Sequence, residues 1–270
     1  LTLNVLNYGG GWQTTGLLVL IEQGKLPRPD RIIIADTGRE KKSTWRYLEG
    51  TARPHMQAIG LDIEIAPRNL AYVDIYAHNG DLLLPAYTAN GKLTAFCSNE
   101  WKQRVVDRYL HLTELGHARS DIANMTQDQV RAEMKRPAAE VYVNWIGFAF
   151  DERDRIKDPT RRRFPLIDLM LTKEDNRNIV RASGWGDPTT SACWMCANLS
   201  NEEWRDIREN DPADFESACV LDEEIRENDI FNGGTGVWLH HSRVPLREAD
   251  LDAEDRKGPA RQCGLGLCMI

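Results

Sequence analysis

Ser191-Ala-Cys193-Trp-Met-Cys196 sets two thiols one turn apart, enough to grip one metal from two sides. A tetrahedral structural zinc or a four-thiolate [4Fe–4S] cluster needs further ligands, and Cys97, Cys263 and Cys268 are available. None of these has a second CxxC spacing, so the site must be assembled from distant segments. A reduced, structural cysteine pair is the alternative. Cys219 lies inside a helical pattern and reads as packed core.

A second stretch offers different chemistry. Asn4 to Leu20 reads as a strand, a turn made almost wholly of glycine, and a helix from about Gln13. The amides of Gly9, Gly10 and Gly11 can approach an anion with no Cβ in the way. The helix start adds unpaired N–H groups and the positive end of its dipole, and Thr14 and Thr15 add hydroxyls. This predicts a phosphate cradle, with a ligand-free strand-to-helix connector as the alternative. It is neither GxxxxGK[ST], because no lysine follows, nor GxGxxG, because Trp12 and Gln13 break that spacing.

Other side chains fit around these two. Asp36, at the end of the second strand, is placed to meet a metal-bound phosphate or a ribose hydroxyl; its alternative is an Asx turn within Asp36-Thr37-Gly38. Lys102 and Arg104 follow Cys97 closely and suit a sulfate or phosphate beside the metal, or else a solvated helix face. The run Arg161-Arg162-Arg163 suits an anion or a solvated edge. His240 and His241 titrate near neutrality and can serve as acid or base; on a strand they face opposite sides, so at most one reaches a site.

The elements that must position these residues follow from periodicity. Strand (Asn4–Tyr8), helix (13–22), strand (Arg31–Ala35), helix (41–59) and strand (61–65) succeed one another with short connections, which predicts an α/β, Rossmann-like parallel sheet flanked by helices. Ligands on such sheets sit beyond the strand carboxyl ends, so the glycine turn and Asp36–Gly38 are expected to face each other across one crevice. Residues 69–136 read as a loop-rich insert with helices at 100–115 and 127–135, and 141–150 as a buried strand. Phe164-Pro-Leu-Ile is strand-like, and Thr172 is expected to cap a helix to residue 182 with Asp175 at its third position. Helices are expected at 201–210 and 212–228, the latter capped by Asp211. A soft boundary near residue 183 separates the α/β unit that carries the glycine turn, 1–182, from a cysteine-containing region, 183–270.

The totals set limits. At 270 residues, 41% hydrophobic and 28% charged, the composition is that of a globular protein. A net charge of −7 gives no bulk attraction to nucleic acid. No apolar run is long enough to span a bilayer, and six cysteines are too sparse for a secreted disulfide scaffold; with no basic-then-apolar leader, the cytoplasm is the expected compartment.

Assembled in order, these stretches resemble the phosphoadenosine phosphosulfate (PAPS) reductase family of the adenine-nucleotide alpha-hydrolase superfamily, which also holds the PP-loop ATP pyrophosphatases. The resemblance is to a branch carried by phages and mobile elements, and it covers nearly the whole chain. Tyr8-Gly-Gly-Gly-Trp-Gln-Thr-Thr15 is similar to the PP-loop, Ser-Gly-Gly-x-Asp-Ser, with Gly9 for the serine and Gln13 for the aspartate. Ile34-Ala-Asp-Thr-Gly38, Gly147-Phe-Ala-Phe-Asp-Glu-Arg153, Arg163-Phe-Pro-Leu-Ile-Asp168, Ser191–Cys196 and Trp238–Leu246 follow in the family's order.

The resemblance implies an adenine nucleotide, ATP or PAPS, with magnesium as an option at its phosphates. It implies contacts from Tyr8, the glycines, Gln13, Thr14, Thr15, Asp36, Gly38, Lys102, Gly147, Arg153 and Arg163. It also implies a [4Fe–4S] cluster on Cys97, Cys193 and Cys196, completed by Cys268 or by an iron left open for sulfide. Ser98 stands where cluster-bearing reductases have a second cysteine. Cys263-Gly-Leu resembles the tail whose cysteine attacks the sulfonyl sulfur, with Gln262 for the usual glutamate.

Three functions follow. In the first, ATP is split to AMP and pyrophosphate, a substrate oxygen is adenylated, and cluster-delivered sulfur displaces AMP, with Asp36 and His240 as helpers. In the second, Cys263 attacks PAPS and a thioredoxin-like reductant releases sulfite. The third is a non-catalytic nucleotide-binding protein with a structural zinc. The sulfur donor, a nucleic-acid substrate and a homodimer stay open.

Overall fold

The computed structural model describes residues 2–137, 141–156, 158–227 and 236–254. At its centre lies β1 (Thr2–Asn7), hydrogen-bonded on one side to β2 (Arg31–Ala35) and on the other to β6 (Val141–Trp145). β3 (Ile63–Ala66) extends the sheet beyond β2, and the two-residue β7 (Arg162–Arg163) beyond β6. The order is β3-β2-β1-β6-β7, and every pairing is parallel. The α/β, Rossmann-like fold expected from the alternating strands and helices is present. Chain direction across the sheet reverses between β1 and β6, which is where such folds place their ligands.

Apolar content explains the layering. Ile32, Ile33 and Ile34 on β2 are all buried, because helices cover both faces of a parallel sheet. Helix α1 (Trp12–Glu22) buries every residue from Thr14 to Ile21, so it is sandwiched rather than amphipathic. One side meets the sheet and the other meets α8 (Lys173–Ser183), where Asn176 Nδ2 donates to the Trp12 carbonyl at 2.6 Å. Thr172 caps α8 in a reciprocal box with Asp175, as its sequence predicts, and Gly184 ends it in the left-handed conformation.

That contact depends on Gly16. A Cβ there would lie 1.8 Å from Asn176 Oδ1, inside the side chain that ties α8 to α1. Helix propensity alone predicts that Gly16→Ala stabilises by about 1 kcal/mol. Overpacking costs about 1–3 kcal/mol, and here the bond to Trp12 is lost as well, so the variant is expected to be less stable in urea denaturation. A gain in stability would show that the helices separate freely.

A continuous helix runs from α2 (Lys42–Tyr47) through a π-helical turn (Leu48–Ala52) into α3 (Arg53–Ala58). The insert carries a two-stranded hairpin, β4 (Tyr87–Thr88) and β5 (Gly91–Lys92). A π-helical turn (Asn99–Gln103) then leads into α4 (Arg104–Glu114), followed by α5 (Arg119–Asn124) and α6 (Gln127–Glu133). Beyond residue 184, α9 (Asn201–Asn210) and α10 (Pro212–Glu227) share one core with Leu83, Leu84 and Trp101 of the insert, and Cys219 lies buried in it.

Three expectations are corrected. The strand read over 141–150 ends at Trp145, because at Gly147 the backbone must pass so close to α1 that a Cβ would meet Thr14 at 2.8 Å. Phe164-Pro-Leu-Ile is not a strand: Pro165 opens a helical turn, α7 (Pro165–Asp168), and its fixed φ suits that position. His240 and His241 lie in a turn, not on a strand, and their rings are 4.3 Å apart.

Candidate functional site

The turn after β1 is buried from Tyr8 to Gly11, and only Gly10 has a positive φ, +75°. Its hydroxyls are used internally. Thr14 Oγ1 accepts from the Gly9 amide at 3.2 Å and donates to the Gly11 carbonyl at 3.4 Å. Thr15 Oγ1 lies 3.3 Å from the Tyr8 hydroxyl, and burial raises the Tyr8 phenol far above its ordinary range. Gly9 and both threonines therefore shape the turn rather than face a ligand. Among the described residues, the amides of Gly10, Gly11, Trp12, Gln13 and Thr14 meet no protein acceptor. They are the orphan donors of a helix start, gathered at one end of a dipole.

Gly11 is the N-cap of α1 and has no side chain to offer those donors. The space is occupied from elsewhere in the chain: a Cβ on Gly11 would stand 2.7 Å from Ser191 Oγ. Ser191 is 4% exposed, and its hydroxyl is buried without a hydrogen-bond partner. An unpaired hydroxyl thus packs against the turn that carries the unpaired donors.

Beside this turn a cavity of about 720 Å³ opens between the loops that follow β1 and β6. Trp12, Gln13 and Thr190 line it together with Asp151, Glu152, Asp154, Arg155, Lys173 and Arg177, and Glu202, Glu203 and Asp206 complete its acidic character. Gln13 Nε2 donates to Glu152 Oε2 at 3.3 Å. Burial works against the Glu152 carboxylate, but Lys173 and Arg155 outweigh it and hold the group below its usual range. Arg155 Nη2 is buried with no acceptor. Arg153 is exposed over the Phe150 ring, and Arg163 lies over Trp145 and donates to Asp168 at 3.3 Å.

The crevice expected between the glycine turn and Asp36–Gly38 is not open. Residues 189–194 fill it: Ser191 packs on Gly11, the Trp194 amide donates to the Arg39 carbonyl, and Cys193 pairs with Glu40 in an isolated bridge. Asp36 Oδ1 accepts from the Gly38 amide at 2.7 Å, the Asx turn. Gly38 faces a separate cavity of about 760 Å³ with Arg39, Arg68 and Trp194.

Within and next to this segment, the thiols of Cys97, Cys193 and Cys196 influence one another electrostatically. Burial first, then the neighbouring Cys196, pushes the Cys97 thiol up to about 12. Burial, then Glu40, raises the Cys193 thiol well above its ordinary range. Glu40 went unremarked in the sequence and is central here. Its Oε1 lies 3.1 Å from Lys102 Nζ, 3.3 Å from Thr37 Oγ1 and 3.9 Å from Cys193 Sγ, while its Oε2 is buried without a partner. Burial depresses the Lys102 ammonium, but Glu40 and the thiols more than offset this, and the net shift is upward. Arg104 pairs with Glu100.

A soft metal fits this donor set in kind, with three thiols and an orphaned carboxylate oxygen, and its binding would release the thiol protons. Among the described residues, no three histidine, cysteine, aspartate or glutamate side chains are closed into a metal-holding arrangement. Cys263 and Cys268 lie outside the described residues. His240 is buried, with its ring nitrogens 2.7 Å from Ser242 Oγ and 2.8 Å from Asn201 Oδ1. Among the described residues, no helix is long and apolar enough to cross a membrane.

Comparison of the chain with protein-family models, curated proteins and solved structures returns no match.

Proposed function

We propose that this chain is an adenine-nucleotide-binding enzyme of sulfur chemistry, holding the nucleotide's phosphates at the start of α1. One observation carries the phosphate part: the buried, unpartnered Ser191 hydroxyl packs 2.7 Å from where a Cβ on the N-cap Gly11 would stand, at a turn whose amides from Gly10 to Thr14 lack protein acceptors among the described residues. A phosphate oxygen that accepts from these amides and from Ser191 Oγ satisfies both sets and gains the helix dipole. The sulfur part rests on the thiols of Cys97, Cys193 and Cys196, which act on one another electrostatically, with Cys193 two residues after Ser191.

ATP is the preferred nucleotide. The adjoining cavity has six carboxylates against three cations, so a polyphosphate is best accepted with a divalent ion among those carboxylates. Gln13 and Glu152 orient one wall, and Arg155 offers its unpaired Nη2. Cys97, Cys193 and Cys196 are the residues that would hold a cluster or a zinc; a cluster bound there would supply a sulfur-carrying, redox-active centre. Lys102 and Glu40 fix the charge around those thiols.

The test is a product assay on anaerobically prepared protein with its metal content measured. Pyrophosphate released from ATP, together with iron and labile sulfide, is the expected result. Sulfite from PAPS with a reduced thioredoxin would assign the chain to thiol-dependent reduction instead. Stoichiometric zinc with no turnover would leave a non-catalytic nucleotide binder. Failure of both nucleotides to raise the melting temperature at saturation would overturn the proposal.

A further inference from the structure

The phosphate reading leaves open how an occupied cradle is sensed by the thiols, and Ser191 lies between the two. We infer that Ser191 is an anion ligand supplied by the cysteine loop, which couples phosphate occupancy to the state of Cys193. This rests on the phosphate site proposed above and adds the residue that connects it to the thiols.

A buried hydroxyl without a partner is costly, and such groups in native proteins call for a missing ligand or ion. Ser191 Oγ is in that condition at the one place where a helix N-cap side chain belongs. It does not serve as the cap itself, since it makes no hydrogen bond to the Gln13 or Thr14 amide. An anion between them accepts from the amides and from the hydroxyl together. Ser191 also brings a hydroxyl to a turn in which those of Thr14 and Thr15 are spent internally.

The coupling follows from chain connectivity. Two residues after Ser191, Cys193 is bridged to Glu40, and its thiol lies 3.9 Å from both Glu40 Oε1 and Thr37 Oγ1. The Trp194 amide is tied to Arg39 at 3.1 Å. The segment is therefore held at Thr189 by Thr44, 3.2 Å between hydroxyls, and beyond Cys193 by the loop after β2, while the Ser191 hydroxyl between them is left unsatisfied until an anion arrives. Binding adds an anchor at Ser191, two residues before Cys193, and so restrains the thiol further.

Ser191→Ala separates these effects. The hydroxyl makes no bond in the ligand-free protein, so the full-length variant is expected to melt no lower than the wild type. Its affinity for inorganic pyrophosphate is expected to fall at least tenfold, the loss of a hydrogen bond to a charged group. Saturating pyrophosphate is expected to slow alkylation of Cys193, located by mass spectrometry, in the wild type and not in the variant. Ser191→Gly serves as a second variant, with the same expectations for affinity and alkylation.

Unchanged pyrophosphate affinity, or equal protection of Cys193 in wild type and variants, overturns the inference while leaving the phosphate site in place. Absence of pyrophosphate binding by the wild type overturns the phosphate site, and the inference falls with it.

Discussion

Lys102→Met is expected to destabilise the protein by about 3–5 kcal/mol, the cost of leaving one member of a buried ion pair without its partner. The two side chains are 12% and 2% exposed, so water cannot take over from the lost ammonium. Glu40 would keep only the Thr37 hydroxyl and the Cys193 thiol, while its second oxygen is unpartnered already. The sign with pH follows from the raised folded-state value: the ammonium's contribution is present below the unfolded lysine pKa and is lost only as pH rises through the higher folded one. The deficit is therefore expected to be constant between about pH 6 and pH 9, read from urea denaturation. Adding Glu40→Gln is expected to recover much of it, because the stranded charge is then gone. If Lys102→Met alone proves neutral, the pair is solvated and cannot set the charge around the thiols.

Gly11→Ala is the second large effect, acting on binding more than on folding. Its backbone, at φ −109°, accepts any side chain, so the cost comes from contact rather than strain. The new Cβ would stand 2.7 Å from Ser191 Oγ, 2.8 Å from Ser191 Cβ and 3.2 Å from the Ser191 amide nitrogen. The backbone there cannot retreat cheaply, since residues 193 and 194 are tied to Glu40 and Arg39. Overpacking costs about 1–3 kcal/mol, and the methyl group fills the space between the hydroxyl and the helix amides. Loss of detectable nucleotide binding is expected, with a fold that still forms. Gly50→Ala is the matched control, because a Cβ there meets nothing within 4 Å.

The sequence carries the frame of this account because its signals are local. Alternating apolar strands and helices, three glycines at a helix start and Thr172 with Asp175 each act over a few residues, and the structure holds them where they are read. What escapes is contact between segments distant in sequence. Nothing near Gly11 announces that Ser191 fills its missing side chain. Nothing near Glu40 announces Lys102, although an acid just after Asp-Thr-Gly at a strand end is the type of signal to pursue. The hydroxyls of Thr14 and Thr15 read as ligands from composition alone, yet the turn uses them to close on itself. Phe164-Pro-Leu-Ile shows the limit of apolar runs, where a proline suited to a helix start outweighs β-forming neighbours.

The central claim is that the start of α1 binds nucleotide phosphates. Calorimetric titration of the full chain with magnesium ATP and with pyrophosphate tests it most directly. Both ligands are expected to bind at one shared site, each displacing the other; Gly11→Ala is expected to abolish both and Gly50→Ala to leave them unchanged. Absence of binding by either ligand, or binding by Gly11→Ala at wild-type strength, would contradict it.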